Sequence, residues 1–177
     1  MFDKYTKIAL AVNACKKGVD GRKKLQKMIY VAKTLGYPFT EGYTIYWYGP
    51  YSHELAAELK RMNELDLLSE ESRDSSYVIK LTRSGKAFLE HFKHGITKEM
   101  GNDKLNKMED LLKKLSQYEP WKLEILATLF YFYEIEHRDF ETLKKVVRRV
   151  KPKFKDQEID SMAKVAQSFL EKYTADQ

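Results

Sequence analysis

The chain has one cysteine, Cys15, in 177 residues. A single thiol excludes an internal disulfide and a thiolate metal cluster, and it suits a reducing compartment such as the cytoplasm. Cys15 falls in the apolar register of the first helical segment, where the expected role is a small buried hydrophobe rather than a nucleophile. Prolines number only four, and each marks a joint: Pro38 after a helix, Pro50 beyond a strand, Pro120 at a helix start and Pro152 at a helix end. Internal repeats and low-complexity tails are missing. Long apolar runs are missing too, because the stretch from Leu123 to Tyr133 is too short and too interrupted to span a membrane. The opening residues Met1-Phe2-Asp3-Lys4-Tyr5 lack the charged and apolar blocks of a signal peptide, so no export is expected.

Catalytic and cofactor signatures are equally scarce. The histidines are His53, His91, His94 and His137, and none stands with a Ser or Cys in a nucleophile motif. His91 and His94 share a helix face, but no third or fourth metal ligand is evident. Gly21-Arg22-Lys23-Lys24 lacks the long glycine-spaced loop that cradles phosphates, and there is no dinucleotide fingerprint. The expectation is a non-enzymatic protein without metal or cofactor.

What is present is a globular composition, 43% apolar and 33% charged, enough for one compact domain or two small ones. The net charge of +6 is unevenly placed: residues 1–33 carry nine Lys or Arg against Asp3 and Asp20. Such a segment attracts nucleic acid, an anionic membrane or an acidic protein, unless it is simply a solvated lysine-rich helix face.

Along the chain, Ile8, Leu10, Ala11 and Cys15 keep a roughly helical register that stops at Gly18-Val19-Asp20-Gly21. From Arg22, the apolar residues Leu25, Met28, Ile29, Ala32 and Leu35 form a helix stripe. That geometry predicts Lys23, Lys24, Gln26, Lys27 and Tyr30 away from the centre of the stripe. Tyr43 to Tyr48 reads as a strand, with Tyr43, Ile45 and Trp47 on one face and Tyr46 and Tyr48 on the other. Pro50 stiffens the joint at Gly49, and Ser52 is a good N-cap. The helix that follows points Leu55, Leu59 and Met62 inward and Glu54, Glu58, Lys60, Arg61 and Glu64 outward. Two short strands, Leu67 to Glu71 and Tyr77 to Thr82, flank the turn Ser72-Arg73-Asp74-Ser75. Thr82 then caps a helix in which Gly85 is a weak spot.

This order predicts an α+β, mostly α fold: a winged helix-turn-helix module over residues 1–94, with the Tyr-rich strand as third strand of a small wing. Gly95 and Gly101-Asn102-Asp103 mark a composition break, and residues 95–177 read as a helical C-terminal extension. Its helix around Leu123 to Tyr133, apolar nearly all round, is expected at the centre of a core, with a homodimer interface as the alternative. A second basic run, Lys144, Lys145, Arg148, Arg149, Lys151, Lys153 and Lys155, has no carboxylate from Thr142 to Lys155.

Two binding readings remain open. A winged helix presents its third helix to the major groove. Here, however, that helix and the wing carry Glu54, Glu58, Glu64, Glu70, Glu71 and Asp74, so Arg22, Lys23, Lys24 and Lys27 must supply the phosphate attraction, supported by Lys144, Lys145, Arg148 and Arg149, with Lys60 and Arg61 on the groove face. Alternatively, Tyr48 and Tyr51 with the same basic helix recognise an acidic protein; Trp47 and most of the tyrosines equally fit a role confined to packing the wing sheet.

Gly21-Arg22-Lys23-Lys24-Leu25-Gln26-Lys27-Met28-Ile29-Tyr30, Tyr48-Gly49-Pro50-Tyr51-Ser52 with Leu55, and Lys151-Pro152-Lys153-Phe154 together resemble the bacterial YwgA family. The resemblance spans both halves and implies a winged-helix-like fold and a role as transcriptional regulator. The smaller pattern Lys24-Leu25-Gln26-Lys27, Tyr30 and Tyr48-Gly49-Pro50 resembles Panacea-type antitoxin domains and the toxin-binding domain of antitoxins that restrain DNA-modifying ADP-ribosyltransferases. That second resemblance covers about the first third of the chain and implies neutralisation of a protein partner.

Overall fold

The helix stripes fold as their spacing predicts, and two additional short strands lie between them. A computed structural model describes residues 2–73 and 76–175. Helix α1 (Phe2–Asn13) is followed by β1 (Val19–Asp20), α2 (Arg22–Thr34), the hairpin β2 (Thr44–Tyr46) and β3 (Gly49–Tyr51), and α3 (His53–Glu64). A second hairpin, β4 (Leu68–Arg73) and β5 (Ser76–Leu81), leads into α4 (Arg83–Met100), α5 (Asn102–Ser116), α6 (Pro120–Glu136), α7 (Phe140–Val150) and α8 (Asp156–Tyr173). The fold is therefore α+β and mostly α. Asp74 and Ser75 of the expected turn lie outside the described residues.

The strands form two separate antiparallel sheets, one ordered β1-β5-β4 and one made of β2 and β3 alone. The Tyr-rich segment is thus not the third strand of the larger sheet. That place is taken by Val19 and Asp20, opposite Ile79 and Val78. The glycines that read as a helix stop admit this strand, since Gly18 and Gly21 both have φ +84, which L side chains rarely adopt. A Cβ on Gly18 would also stand 2.6 Å from Val78 Cγ1 and 2.7 Å from Ile79 O.

Thr82 caps α4 as expected, its hydroxyl accepting from Gly85 N–H at 2.9 Å. Gly85 is not a weak spot, because a Cβ there would fall 1.9 Å from Leu67 O. It is the point where α4 touches the start of the β4–β5 hairpin. Gly95 lies inside α4, which continues to Met100, and Gly101 with φ +80 turns the chain into α5.

Helix α6 takes the centre of the core. Every residue from Leu123 to Phe130 is buried, as an all-round apolar helix requires. It packs against α2, β3, α7 and α8, while α2 also meets α1, α5 and β1. One apolar cluster joins Tyr5, Leu25 and Leu55 to Leu111, Leu126 and Phe169. Covered from several directions, α2 has no broad solvent face, and Lys24, Gln26, Lys27 and Tyr30 are buried. The expectation that these four point outward is corrected by that encirclement.

Candidate binding site at the aromatic hairpin

The two stretches that stand out in the sequence, 21–30 and 46–52, meet in space. Gln26 clamps the backbone of Ser52 from both sides, donating from Nε2 to Ser52 O at 2.7 Å and accepting from Ser52 N–H at 2.9 Å. Ser52 in turn caps α3, its hydroxyl accepting from Leu55 N–H at 3.0 Å. The next residue of α2, Lys27, donates from Nζ to Pro50 O at 3.2 Å. Gly49 has φ +91, and a Cβ on it would stand 3.2 Å from Thr128 Oγ1 and 3.5 Å from Lys27 Cε. Only glycine therefore lets the strand lie this close to α2 and α6.

The third stretch, 151–154, reaches the same place. Lys151 is buried and donates to Trp47 O, and to Glu124 Oε1 at 2.9 Å. Lys153 Nζ also bonds Glu124, at 2.9 Å. Glu124 is 7% exposed and is the carboxylate on which the two lysines converge. Sequence reasoning missed it, although a lone acid within the apolar run 123–133 is the signal that would have found it.

Burial dominates the charge state of Lys27. Desolvation pushes it down from 10.5 to about 8, Lys151 and Lys23 add repulsion, and Glu124 opposes the shift. Beneath the hairpin, burial also raises the phenols of Tyr30 and Tyr43, and Tyr30 is raised further by donating to Glu134 at 2.7 Å.

Thus the hairpin backbone is gripped from below while its side chains stay outside. Tyr46 pairs with Gly49 and Ile45 with Pro50, leaving Trp47 and Tyr48 as the two-residue tip. Trp47 is 89% exposed, Tyr48 55%, Tyr46 48% and Ile45 38%. The expectation that Trp47 packs inward is corrected: it sits at the tip, where strand alternation no longer applies. On one flank Tyr46 OH contacts His53 Nε2 at 2.9 Å, and the Tyr51 and His53 rings meet at 5.1 Å. On the other flank Ile45, Trp47, Phe132 and Val150 border an open apolar recess of about 330 Å³.

The structure brings Lys23, Lys24, Lys27 and Tyr48 together, with Lys23 Nζ 4.0 Å from the Tyr48 ring centre. The other candidates lie apart from this group. Arg22 pairs with Glu70 at 2.5 Å. Lys60 and Arg61 are exposed on α3, Lys60 within 3.9 Å of Glu64. In the second basic run, Lys144 pairs with Glu141 and Asp160 at 2.5 and 3.2 Å, and Arg148 with Asp156 and Asp160 at 2.8 and 2.9 Å. That part of the run is balanced by carboxylates in the first turns of α7 and α8, whereas Lys145 and Arg149 stay exposed. Tyr51 is half-buried.

Among the described residues no group of three or more His, Cys, Asp or Glu is placed to hold a metal ion, and no helix is long and apolar enough to cross a membrane. Cys15 is buried, and that burial pushes its thiol up.

A protein of Bacillus subtilis (strain 168), named uncharacterized protein YwgA, is 34% identical over 145 residues, spanning 79% of this chain and 81% of the relative. The chain belongs to the YwgA family. No family model matches it. An alignment of that extent with a YwgA protein must take in residues from both halves of the chain.

Proposed function

We propose that the chain is a non-enzymatic binding module of a reducing compartment, a winged helix over residues 1–94 with a helical extension over 95–177, that docks a protein partner through the 44–51 hairpin. The observation that carries this reading is the contrast within the hairpin. Its backbone is fixed by Gln26, Lys27 and Lys151, while Ile45, Tyr46, Trp47 and Tyr48 project into solvent. Rigid aromatic side chains held away from the core lose little entropy on binding and are the usual hot spots of interfaces. Lys23 and Lys153 beside Tyr48 favour an acidic surface with an apolar recess for Trp47. An antitoxin-like neutralisation of an acidic partner fits this description.

The test is affinity capture from nuclease-treated extract of the native cell, followed by reconstitution with the identified partner. Trp47→Ala should weaken the reconstituted complex at least about tenfold, as loss of a hot spot does, and moderate salt should change it little. A complex indifferent to Trp47→Ala contradicts the reading.

The second reading is a DNA-binding regulator, favoured by the order of elements: a helix follows the first two, precedes a β-hairpin, and the sheet runs β1-β5-β4. Lys60 and Arg61 are exposed on that third helix. Burial of Lys24 and Lys27 and the pairing of Arg22, Lys144 and Arg148 remove much of the expected phosphate grip. Steep loss of DNA retention with added salt would mark this second reading.

A further inference from the structure

Under the Tyr48 ring lies a cavity of about 240 Å³, lined by Lys23, Lys24, Lys27 and Lys153, with Trp121 on its wall and Glu124 as its only carboxylate. Glu124 is already bonded to Lys151 and Lys153. Lys27 is 4% exposed and makes one hydrogen bond, to a carbonyl; no carboxylate lies within 4.0 Å of it among the described residues. Lys24 is 7% exposed, with Asp20 at 3.8 Å, too long for a hydrogen bond. The Lys24 and Lys27 ammonium groups thus line the cavity with N–H donors that no protein acceptor among the described residues takes up, where an anion can accept from them. The first turn of α6 adds its own polarity. Pro120 and Trp121 line the cavity, and Glu119 at the N-cap makes no side-chain cap bond there.

We propose that this cavity binds a small oxyanion of the phosphate class, free phosphate or the phosphoryl group of a small monoester, held by Lys23, Lys24, Lys27 and Lys153. Four lysines against one carboxylate give the lining a net positive charge that suits an anion, and the cavity is smaller than the ~300–1,000 Å³ typical of drug-sized ligands. The Trp121 and Tyr48 rings border it and supply flat surface for whatever carries the phosphoryl group. This inference does not rest on the protein-docking reading.

Calorimetric titration of the full chain at pH 7 tests it, with inorganic phosphate and adenosine monophosphate as separate probes. One saturable site is expected for phosphate, together with a phosphate-dependent rise in the thermal midpoint. Lys24→Met and Lys27→Met should each weaken it at least about tenfold, as loss of a charge-assisted contact does, while Lys164→Met on the exposed face of α8 should not. Lys23→Met, at an exposed position, provides a variant whose folding is not in question, and it should weaken binding as well. Tighter binding of the monoester, lost in Trp121→Ala, identifies an esterified ligand; equal binding identifies the free ion. Absence of saturation with both probes, or equal binding by wild type, Lys23→Met and Lys164→Met, overturns the proposal.

Discussion

At Lys27 an ammonium occupies a position that the packing of α2 would ordinarily give to an apolar side chain. Its proton is held only up to about 8 in the folded chain, against an ordinary value of 10.5. Between those values the unfolded chain binds the proton and the folded chain does not, so Lys27 makes stability rise with pH across that window. Below about 8 the burial cost is present in full, at most about 3 kcal/mol by the free energy of such a shift. Lys27→Met should therefore raise the denaturation midpoint at pH 7 and flatten the alkaline rise; denaturant melts at pH 7 and 10 check both. Gly85 gives an opposite case, with no charge involved. A Cβ there collides with the Leu67 carbonyl, and Gly85→Ala should cost about 2 kcal/mol or more by overpacking, read as a lowered urea midpoint with unchanged slope.

At the scale of the element, the β2–β3 hairpin is short: β3 packs on α2 and α6, and three side chains outside the hairpin, Gln26, Lys27 and Lys151, hold its backbone. Gln26 satisfies both backbone groups of buried Ser52, and Lys151 holds the Trp47 carbonyl. Gln26→Ala leaves the buried Ser52 N–H without a partner, while Ser52 O still accepts from Ala56 N–H at 3.1 Å, and should cost about 1–3 kcal/mol. Lys151→Met should speed amide exchange at residues 46–49 while leaving the β4–β5 hairpin protected, since it removes a tether and not core area. Uniform exchange across both hairpins would contradict that. Trp47→Ala should change stability by no more than about 0.5 kcal/mol, as expected for an exposed position.

At the scale of the whole molecule, much of the architecture was legible from periodicity. The stripe from Leu25 to Leu35 and the all-round apolar run of α6 predict which helices pack and which is central, because burial needs those spacings. The strand Val19–Asp20 was hidden because two residues between glycines carry no period. Burial of Lys24 and Lys27 was hidden for a different reason: charged residues usually mark the solvent face, and only the encirclement of α2 by α6, β3, α5 and β1 reverses that. Within the site, Tyr48, Gly49, Pro50 and the 21–30 stretch were visible from residue types alone. Glu124, which links α6 to the 151–154 segment, needed the tertiary contact. The same contact explains why three distant stretches of a YwgA-family chain converge: they support one hairpin and the basic cavity beneath it.

In the proposed function this hairpin is presented to a protein partner. The most direct test is the paired capture of partners by wild type and Trp47→Ala from nuclease-treated native extract, with both baits shown to be equally stable. The expected result is a protein, confirmed by reconstitution, that wild type retains in moderate salt and Trp47→Ala loses. Retention of the same protein by both baits, or recovery only of nucleic acid when nuclease is omitted, would contradict it.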